Sequence, residues 1–229
     1  MWFVTLMRVV KFLLSFRLKV NVIGKENIPE EGPVIVCFNH TDILDPLYIM
    51  FALMRDMWAL VASSYSKNII IRFFSMTGKA ILVDRNTTDM NALNKSIEVL
   101  KTGKFLGVSP EGTRSKDGLL HKGKFGLGYL AGMTDSTILP LGLVGSYGAS
   151  KRMLTQSLLK KVEVTVNIGK SFKLKDIEHL KRDYPQGNTR EDREIKRIIL
   201  VKGGGEATNT QIMPKISKLL PQEMRGKFE

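Results

Sequence analysis

Residues 34–46, Val34-Ile35-Val36-Cys37-Phe38-Asn39-His40-Thr41-Asp42-Ile43-Leu44-Asp45-Pro46, pass from a strand through a loop into a helix. Val34 to Phe38 is an apolar run of strand length. Pro46 suits the first turn of a helix, where its missing N–H costs no hydrogen bond, and the pattern carries that helix to about Arg55. His40 therefore stands on the loop leaving a strand, with Asp45 at the start of the next helix. That geometry can bring the carboxylate back to one imidazole nitrogen, where it fixes the tautomer and stabilises the imidazolium. The other nitrogen is left as a general base near neutral pH. This is two thirds of a triad, with the nucleophile left for a substrate to supply. A His-x4-Asp spacing also arises in ordinary surface loops, so its weight depends on the segments downstream of it in the chain.

Strand and helix signals alternate on both sides of this stretch. Upstream, residues 17–23 alternate like a strand and residues 24–32 are turn-rich. Downstream, residues 58–63, 78–85, 104–108, 137–144 and 162–168 read as strands. Helices are expected at 87–101, capped by Thr87 or Thr88, and at 122–133. The apolar run 68–74 fits the core or an extension of a membrane-facing surface. Beyond Lys173 the chain turns polar and charged, and Lys202-Gly203-Gly204-Gly205 reads as a flexible joint. Thr208 or Asn209 is the expected cap of a last helix, 211–220, ended by Pro221. The alternation predicts an α/β fold with a mixed, largely parallel sheet flanked by helices, one domain over residues 17–229.

Residues 1–16, MWFVTLMRVVKFLLSF, are nearly all apolar. At helical spacing Thr5, Arg8, Lys11 and Ser15 share one narrow stripe, with Trp2, Phe3, Phe12 and Phe16 elsewhere around the helix. Such a helix is about 24 Å long, short of the ~30 Å hydrocarbon core. Charges interrupt the apolar run and no small-residue cleavage site follows, which argues against a signal peptide. A basic stripe on an apolar helix suits one lying in the membrane interface, with Arg17 and Lys19 near headgroups. Packing of the same helix on the sheet is the alternative.

Thirty-five Lys and Arg against 22 Asp and Glu leave a net charge of +13, which attracts polyanions such as nucleic acid, anionic lipid or phosphorylated substrates. The chain has no helix-turn-helix, zinc-finger or RRM signature, and its aromatics are not interleaved with basic positions, which argues against nucleic acid. The single cysteine, Cys37, falls inside a predicted strand and reads as a buried apolar residue. Three scattered histidines and no Cys/His cluster give no metal site. His121 reads as a solvated loop residue and His179 as a surface one.

Three short segments stand at predicted strand ends: Asn39-His40 with Asp45, Asp84-Arg85, and Pro110-Glu111-Gly112-Thr113-Arg114. In open α/β sheets ligands bind beyond the carboxyl ends of strands, so these loops are expected to share a cleft. A base, two arginines and a glycine that admits a close backbone approach suit a phosphorylated alcohol, because Arg grips phosphate bidentately.

These motifs resemble those of the glycerolipid acyltransferases, specifically the 1-acylglycerol-3-phosphate (lysophosphatidate) acyltransferase family. Asn-His-x4-Asp matches Asn39, His40 and Asp45. A glycine-led apolar strand closing in Arg matches Gly78 to Arg85, and Pro-Glu-Gly-Thr-Arg-Ser matches Pro110 to Ser115. An apolar strand around proline matches Ile138 to Leu141. All four occur in the family's order, the similarity runs from about residue 15 to 170, and the tail 219–226 resembles the usual family ending.

The resemblance implies acyl transfer from a thioester, either acyl-CoA or acyl carrier protein, to the sn-2 hydroxyl of lysophosphatidate. It needs no cofactor, metal or covalent acyl-enzyme. His40 would be the base and Asp45 its orienting partner, while Arg85, Glu111, Gly112, Thr113 and Arg114 bind the acceptor's glycerol phosphate. The protein would be a monotopic one on the cytoplasmic face of an anionic membrane. Other acceptors, glycerol-3-phosphate or a lysolipid without phosphate, and a non-catalytic basic binder are the competing readings. The chain departs from the family pattern at Asp42, usually Ser, where a second carboxylate could compete with Asp45. It departs again at Ser109, usually aromatic or aliphatic, and at Ser63-Ser64, where a basic residue is common and this chain offers Lys67 only later.

Overall fold

The structure, a computed structural model, describes residues 2–65, 79–85, 87–157, 160–175 and 187–228. The apolar run 68–74, Gly78, Lys67 and His179 lie outside the described residues. Seven strands form one sheet: β1 (Leu18–Ile23), β2 (Val34–Phe38), β3 (Met57–Ala62), β4 (Ala80–Val83), β5 (Phe105–Val108), β6 (Thr137–Val144) and β7 (Val162–Ile168). Their order is β1-β7-β6-β2-β5-β3-β4. Only the β6–β7 pairing is antiparallel, so β1 and β7 run against the other strands. The expected mixed, largely parallel α/β sheet is what the chain forms.

All five residues of β2 are buried, as a central strand covered on both faces requires. Its side chains alternate: Val34, Val36 and Phe38 join one apolar cluster, Ile35 and Cys37 the other. Helices α1 (Trp2–Leu14) and α2 (Asp45–Leu53) pack on the first face. The second face carries α3 (Met90–Lys101), α4 (Phe125–Thr134), and α6 (Arg190–Ala207) continuing into α7 (Met213–Ser217). A short helix, α5 (Ala149–Thr155), follows β6. Tyr48, Ile49 and Phe51 of α2 are fully enclosed; burial of side chains this size contributes about 1.5–3 kcal/mol each and fixes α2, with Asp45 at its start, against β2.

Three local expectations about helices are corrected. Residues 202–205 are helical, not a joint, because α6 crosses α4 glycine on glycine: a Cβ on Gly128 would lie 2.2 Å from the Gly204 carbonyl oxygen. Backbones that close admit no side chain, so the glycines mark contact rather than flexibility. Thr208 and Asn209 cap no separate helix; a π-helical turn, Thr208–Ile212, joins α6 to α7, and Thr208 Oγ1 accepts the N–H of Gly128 at 3.0 Å. The cap of α3 is Asp89, which accepts the Ala92 N–H at 3.0 Å, instead of Thr87 or Thr88.

Arg17, expected near headgroups, is 7% exposed and turned into the protein. Its guanidinium donates to the carbonyls of Met153, Gln156 (3.2 Å) and Ser157 (2.8 Å), the orphan acceptors at the carboxyl end of α5. Lys19 pairs with Glu163 at 3.2 Å. In α1, Lys11 is half-buried and donates to the Phe51 carbonyl at 3.4 Å; desolvation, then the nearby Lys25, holds its pKa below the usual lysine value. The helix thus packs on α2 along Met7, and its outer side shows Val9, Phe12 and Leu13, with Phe16 in the turn just beyond it, each at least half exposed. No helix among the described residues is long and apolar enough to cross a membrane.

Candidate active site

Where β2 ends, Asn39 continues the sheet with its side chain. Its Nδ2 donates to the Leu143 carbonyl (3.0 Å) and its Oδ1 accepts the Leu143 N–H (2.7 Å), imitating a strand pairing with β6. The chain then turns, and His40 comes to rest edge-on to Phe38, ring centroids 6.1 Å apart. Asp45 Oδ2 accepts three hydrogen bonds: from His40 Nδ1 (2.8 Å), Thr41 N (2.7 Å) and Asp42 N (2.8 Å). Asp45 is fully buried and its Oδ1 has no partner among the described residues. The sequence therefore places the carboxylate as expected, at the first turn of α2, where the helix dipole favours it.

Asp42 does not compete for the ring. Its Oδ2 accepts Ser150 N (3.1 Å) and Oγ (2.8 Å), tying the loop to α5, and its Oδ1 accepts Leu44 N (3.0 Å). Thr41 Oγ1 meets Ser146 Oγ at 2.7 Å.

The loop after β5 grips His40 by its backbone. Glu111 Oε1 accepts the His40 N–H (3.2 Å), Oε2 accepts the His121 N–H (3.0 Å), and Ser115 N donates to the His40 carbonyl (2.7 Å). Burial pushes the Glu111 carboxyl up to about 7, against the opposing pull of those two N–H groups. Gly112 turns beside it with φ +69°, in the left-handed region that glycine enters freely. His121 is half exposed and bonded to Asp117 at 2.9 Å.

An apolar cavity of about 540 Å³ adjoins His40. The register of β3 with β5 ends at Ala59–Gly107, whereas β3 stays paired with β4 to Ala62, so the sheet opens there; Ala59, Leu60 and Gly107 line the cavity. Its walls come from both helical layers, with Met7, Val10 and Met50 on one side and Leu93, Leu127 and Leu130 on the other. Arg85 and Gly112 line it as well; Glu111, Thr113 and Arg114 do not. Arg114 Nη2 donates to Tyr65 Oη (2.7 Å), and the guanidinium carbons of Arg114 and Arg85 stand 5.5 and 5.9 Å from the centre of the Tyr65 ring. Burial, with Arg114 adding to it, holds Arg85 below its usual pKa, an arrangement an anion would relieve. Sequence reading missed Tyr65, Lys124 and the Ser115 backbone contact, none of which has a local signature.

An α/β sandwich presenting a part-buried His beyond a strand end, bonded to a buried Asp at a helix start and beside an apolar cavity, is the architecture of this chain. The fold matches that of the 1-acyl-sn-glycerophosphate (LPA) acyltransferase PlsC from Thermotoga maritima, with a TM-score of 0.59 and 21% identity over 91% of this chain and 79% of that one. The chain belongs to the acyltransferase family, whose model matches residues 19–144. It is 30% identical over 128 residues to a 1-acyl-sn-glycerol-3-phosphate acyltransferase of Borreliella burgdorferi, covering 55% of this chain and 51% of that protein. It is 26% identical over 172 residues to the Bacillus subtilis protein of the same name, covering 74% and 82%. The chain thus spans about half the length of the Borreliella relative and, at 36%, less of the chloroplastic protein LPAT1 of Arabidopsis thaliana.

Proposed function

We propose that this protein transfers a fatty acyl group from an acyl thioester to the sn-2 hydroxyl of 1-acylglycerol-3-phosphate, producing phosphatidate. The observation that carries the reading is the His40–Asp45 pair, 2.8 Å apart, on the wall of an apolar cavity that also carries Arg85. The names of the relatives in Borreliella and Bacillus agree with it.

In the reaction His40 Nε2, opposite the nitrogen held by Asp45, takes the proton of the acceptor hydroxyl as its oxygen attacks the thioester carbonyl. The tetrahedral intermediate collapses by breaking the C–S bond, and the imidazolium returns its proton to the leaving thiolate. Asp45 stabilises the imidazolium that exists between these two transfers. Glu111 and Ser115 keep the His40 backbone in place, a positioning part, while Arg85 meets the acceptor's phosphate. The cavity's apolar walls suit a fatty chain, from an acyl-CoA or acyl carrier protein donor. The same family reading puts the protein on the cytoplasmic face of a membrane, held through the outer side of α1.

Acyl transfer to lysophosphatidate, with wild type beside His40→Ala, tests the reading. Wild type is expected to form phosphatidate and His40→Ala to lose about 10²–10⁴-fold in rate while remaining folded. Product formation at near wild-type rate by His40→Ala would exclude the mechanism, and none from either protein would leave only a binder.

A further inference from the structure

Helix α5 is seven residues long, and Ala149 alone of its side chains is buried. A helix below roughly 12–15 residues is marginal in water, so neither its length nor its apolar contacts account for it. Its own N-cap, Gly148, offers no side-chain acceptor. The acceptor comes from the His40 loop: Asp42 Oδ2 takes the Ser150 N–H at 3.1 Å and the Ser150 hydroxyl at 2.8 Å. At the other end the Arg17 guanidinium covers the carbonyls of Met153, Gln156 and Ser157. An anion at the first turn and a cation past the last is the placement a helix dipole favours. Asp42 and Arg17 are 4% and 7% exposed, so solvent and salt screen these contacts little.

The residue that caps α5 is also bonded to the catalytic carboxylate. The Asp42 N–H donates to Asp45 Oδ2 at 2.8 Å, the oxygen that accepts from His40 Nδ1, and the Asp42 carbonyl accepts the Asp45 N–H at 3.3 Å. Asp42 Oδ1 accepts the Leu44 N–H at 3.0 Å, so the side chain cannot turn without losing a bond on one side or the other. One residue away, Thr41 Oγ1 meets Ser146 Oγ at 2.7 Å, a second tie between the His40 loop and the segment entering α5. A displacement of α5 is therefore carried through Asp42 to the place where Asp45 meets the imidazole.

We propose that Asp42 and Arg17 are positioning residues for the His40–Asp45 pair, acting through α5. Arg17 holds the carboxyl end of the helix, the helix holds Asp42, and Asp42 fixes the loop that sets Asp45 against His40 Nδ1. Their effect on turnover rests on the acyl-transfer reading; the link from α5 to the pair does not.

The test measures kcat and KM for lysophosphatidate together with the downfield proton NMR signal of His40 Nδ1–H. The variants are Asp42→Ala, Arg17→Gln, the two combined, Ser150→Ala and Arg17→Lys, with Lys151→Ala, exposed on α5, as control. Asp42→Ala and Arg17→Gln are each expected to lower kcat about 10-fold with KM within about twofold of wild type, because geometry is lost and no substrate contact is. The double variant should fall little further than either single one, as residues acting through one element do. The Nδ1–H signal should move upfield in each of them. Ser150→Ala, which removes one of the two bonds to Asp42 Oδ2, and Arg17→Lys, which keeps the charge, should lie between these variants and wild type in both readouts. Lys151→Ala should match wild type. If circular dichroism shows either larger change unfolded, Ser150→Ala and Arg17→Lys decide on the same two readouts. Wild type that transfers no acyl group, with the His40 signal moving in this pattern, would sink the acyl-transfer reading and uphold the link. Multiplying losses in the double variant, a change in KM alone, or an unmoved His40 signal in folded variants would overturn the proposal.

Discussion

Replacing Asp45 by asparagine removes one charge and almost no volume, at the point where three donors converge on a single oxygen. The asparagine carbonyl can occupy the Oδ2 position and still accept from His40 Nδ1, so the ring keeps its place. What disappears is the attraction between carboxylate and imidazolium. At the observed 2.8 Å and an effective dielectric of about 20 that attraction is about 6 kcal/mol, an upper bound on the loss. The lower bound is the difference between a charged and a neutral hydrogen bond, about 1–1.5 kcal/mol. These bounds correspond to roughly 10- and 10⁴-fold in rate, and kcat is expected to fall by about 10²–10³-fold. His40→Ala, which removes the base outright, should lose at least as much.

The asparagine NH2 would occupy the buried Oδ1 position, which has no partner among the described residues, at a cost of about 1–3 kcal/mol, or a Tm lower by roughly 2–10 °C. Initial rates from thiol release at saturating donor, with circular dichroism confirming the fold, make the measurement. Asp45→Asn within twofold of wild type, or Asp42→Asn as the more damaging change, would refute the pairing that the geometry implies.

Glu111 should make stability depend on pH. Its folded pKa, about 7, lies above the unfolded carboxyl value, so the native state binds the extra proton; stability from this group is greatest below the unfolded value and is lost as pH rises through about 7. Thermal melts of Glu111→Gln between pH 5 and 8 should lack that slope, and an unchanged slope would place the titration elsewhere. At the end of α1, Phe12→Ser/Phe16→Ser removes two side chains that are 77% and 63% exposed, so the fold should hold while affinity for lipid vesicles drops about 10- to 100-fold; full co-sedimentation of the double variant would move the anchor off this segment. Gly204→Ala should lower Tm because its Cβ would meet the Phe125 carbonyl oxygen at 2.8 Å, whereas Gly205→Ala, whose Cβ lies 3.8 Å from its nearest neighbour, should gain up to about 1 kcal/mol of helix propensity. Equal melting shifts of the same sign would count against the close crossing of α4 and α6.

The alternation of apolar runs with turn signals was enough to specify the α/β class, because burial on a sheet and packing on a helix impose periods of two and 3.6 on any chain that has them. The His40–Asp45 pair was equally legible, since strand, loop and helix start lie within one short segment and local geometry fixes their reach. The glycines at 203–205 misled because composition cannot distinguish a residue chosen for freedom from one chosen for closeness; only the partner, Gly128, about 75 residues away, decides it. Arg17 likewise belongs to the end of a helix distant in the chain, and that contact alone removes it from the surface. Arg114, expected at the cavity wall, stands off it for the same reason, and Lys124, which no sequence motif singles out, lines it. A short motif states which chemistry a loop carries, but which side chain faces the cavity depends on the loops packed against it, and those contacts exist only once the sheet has brought the strand ends together.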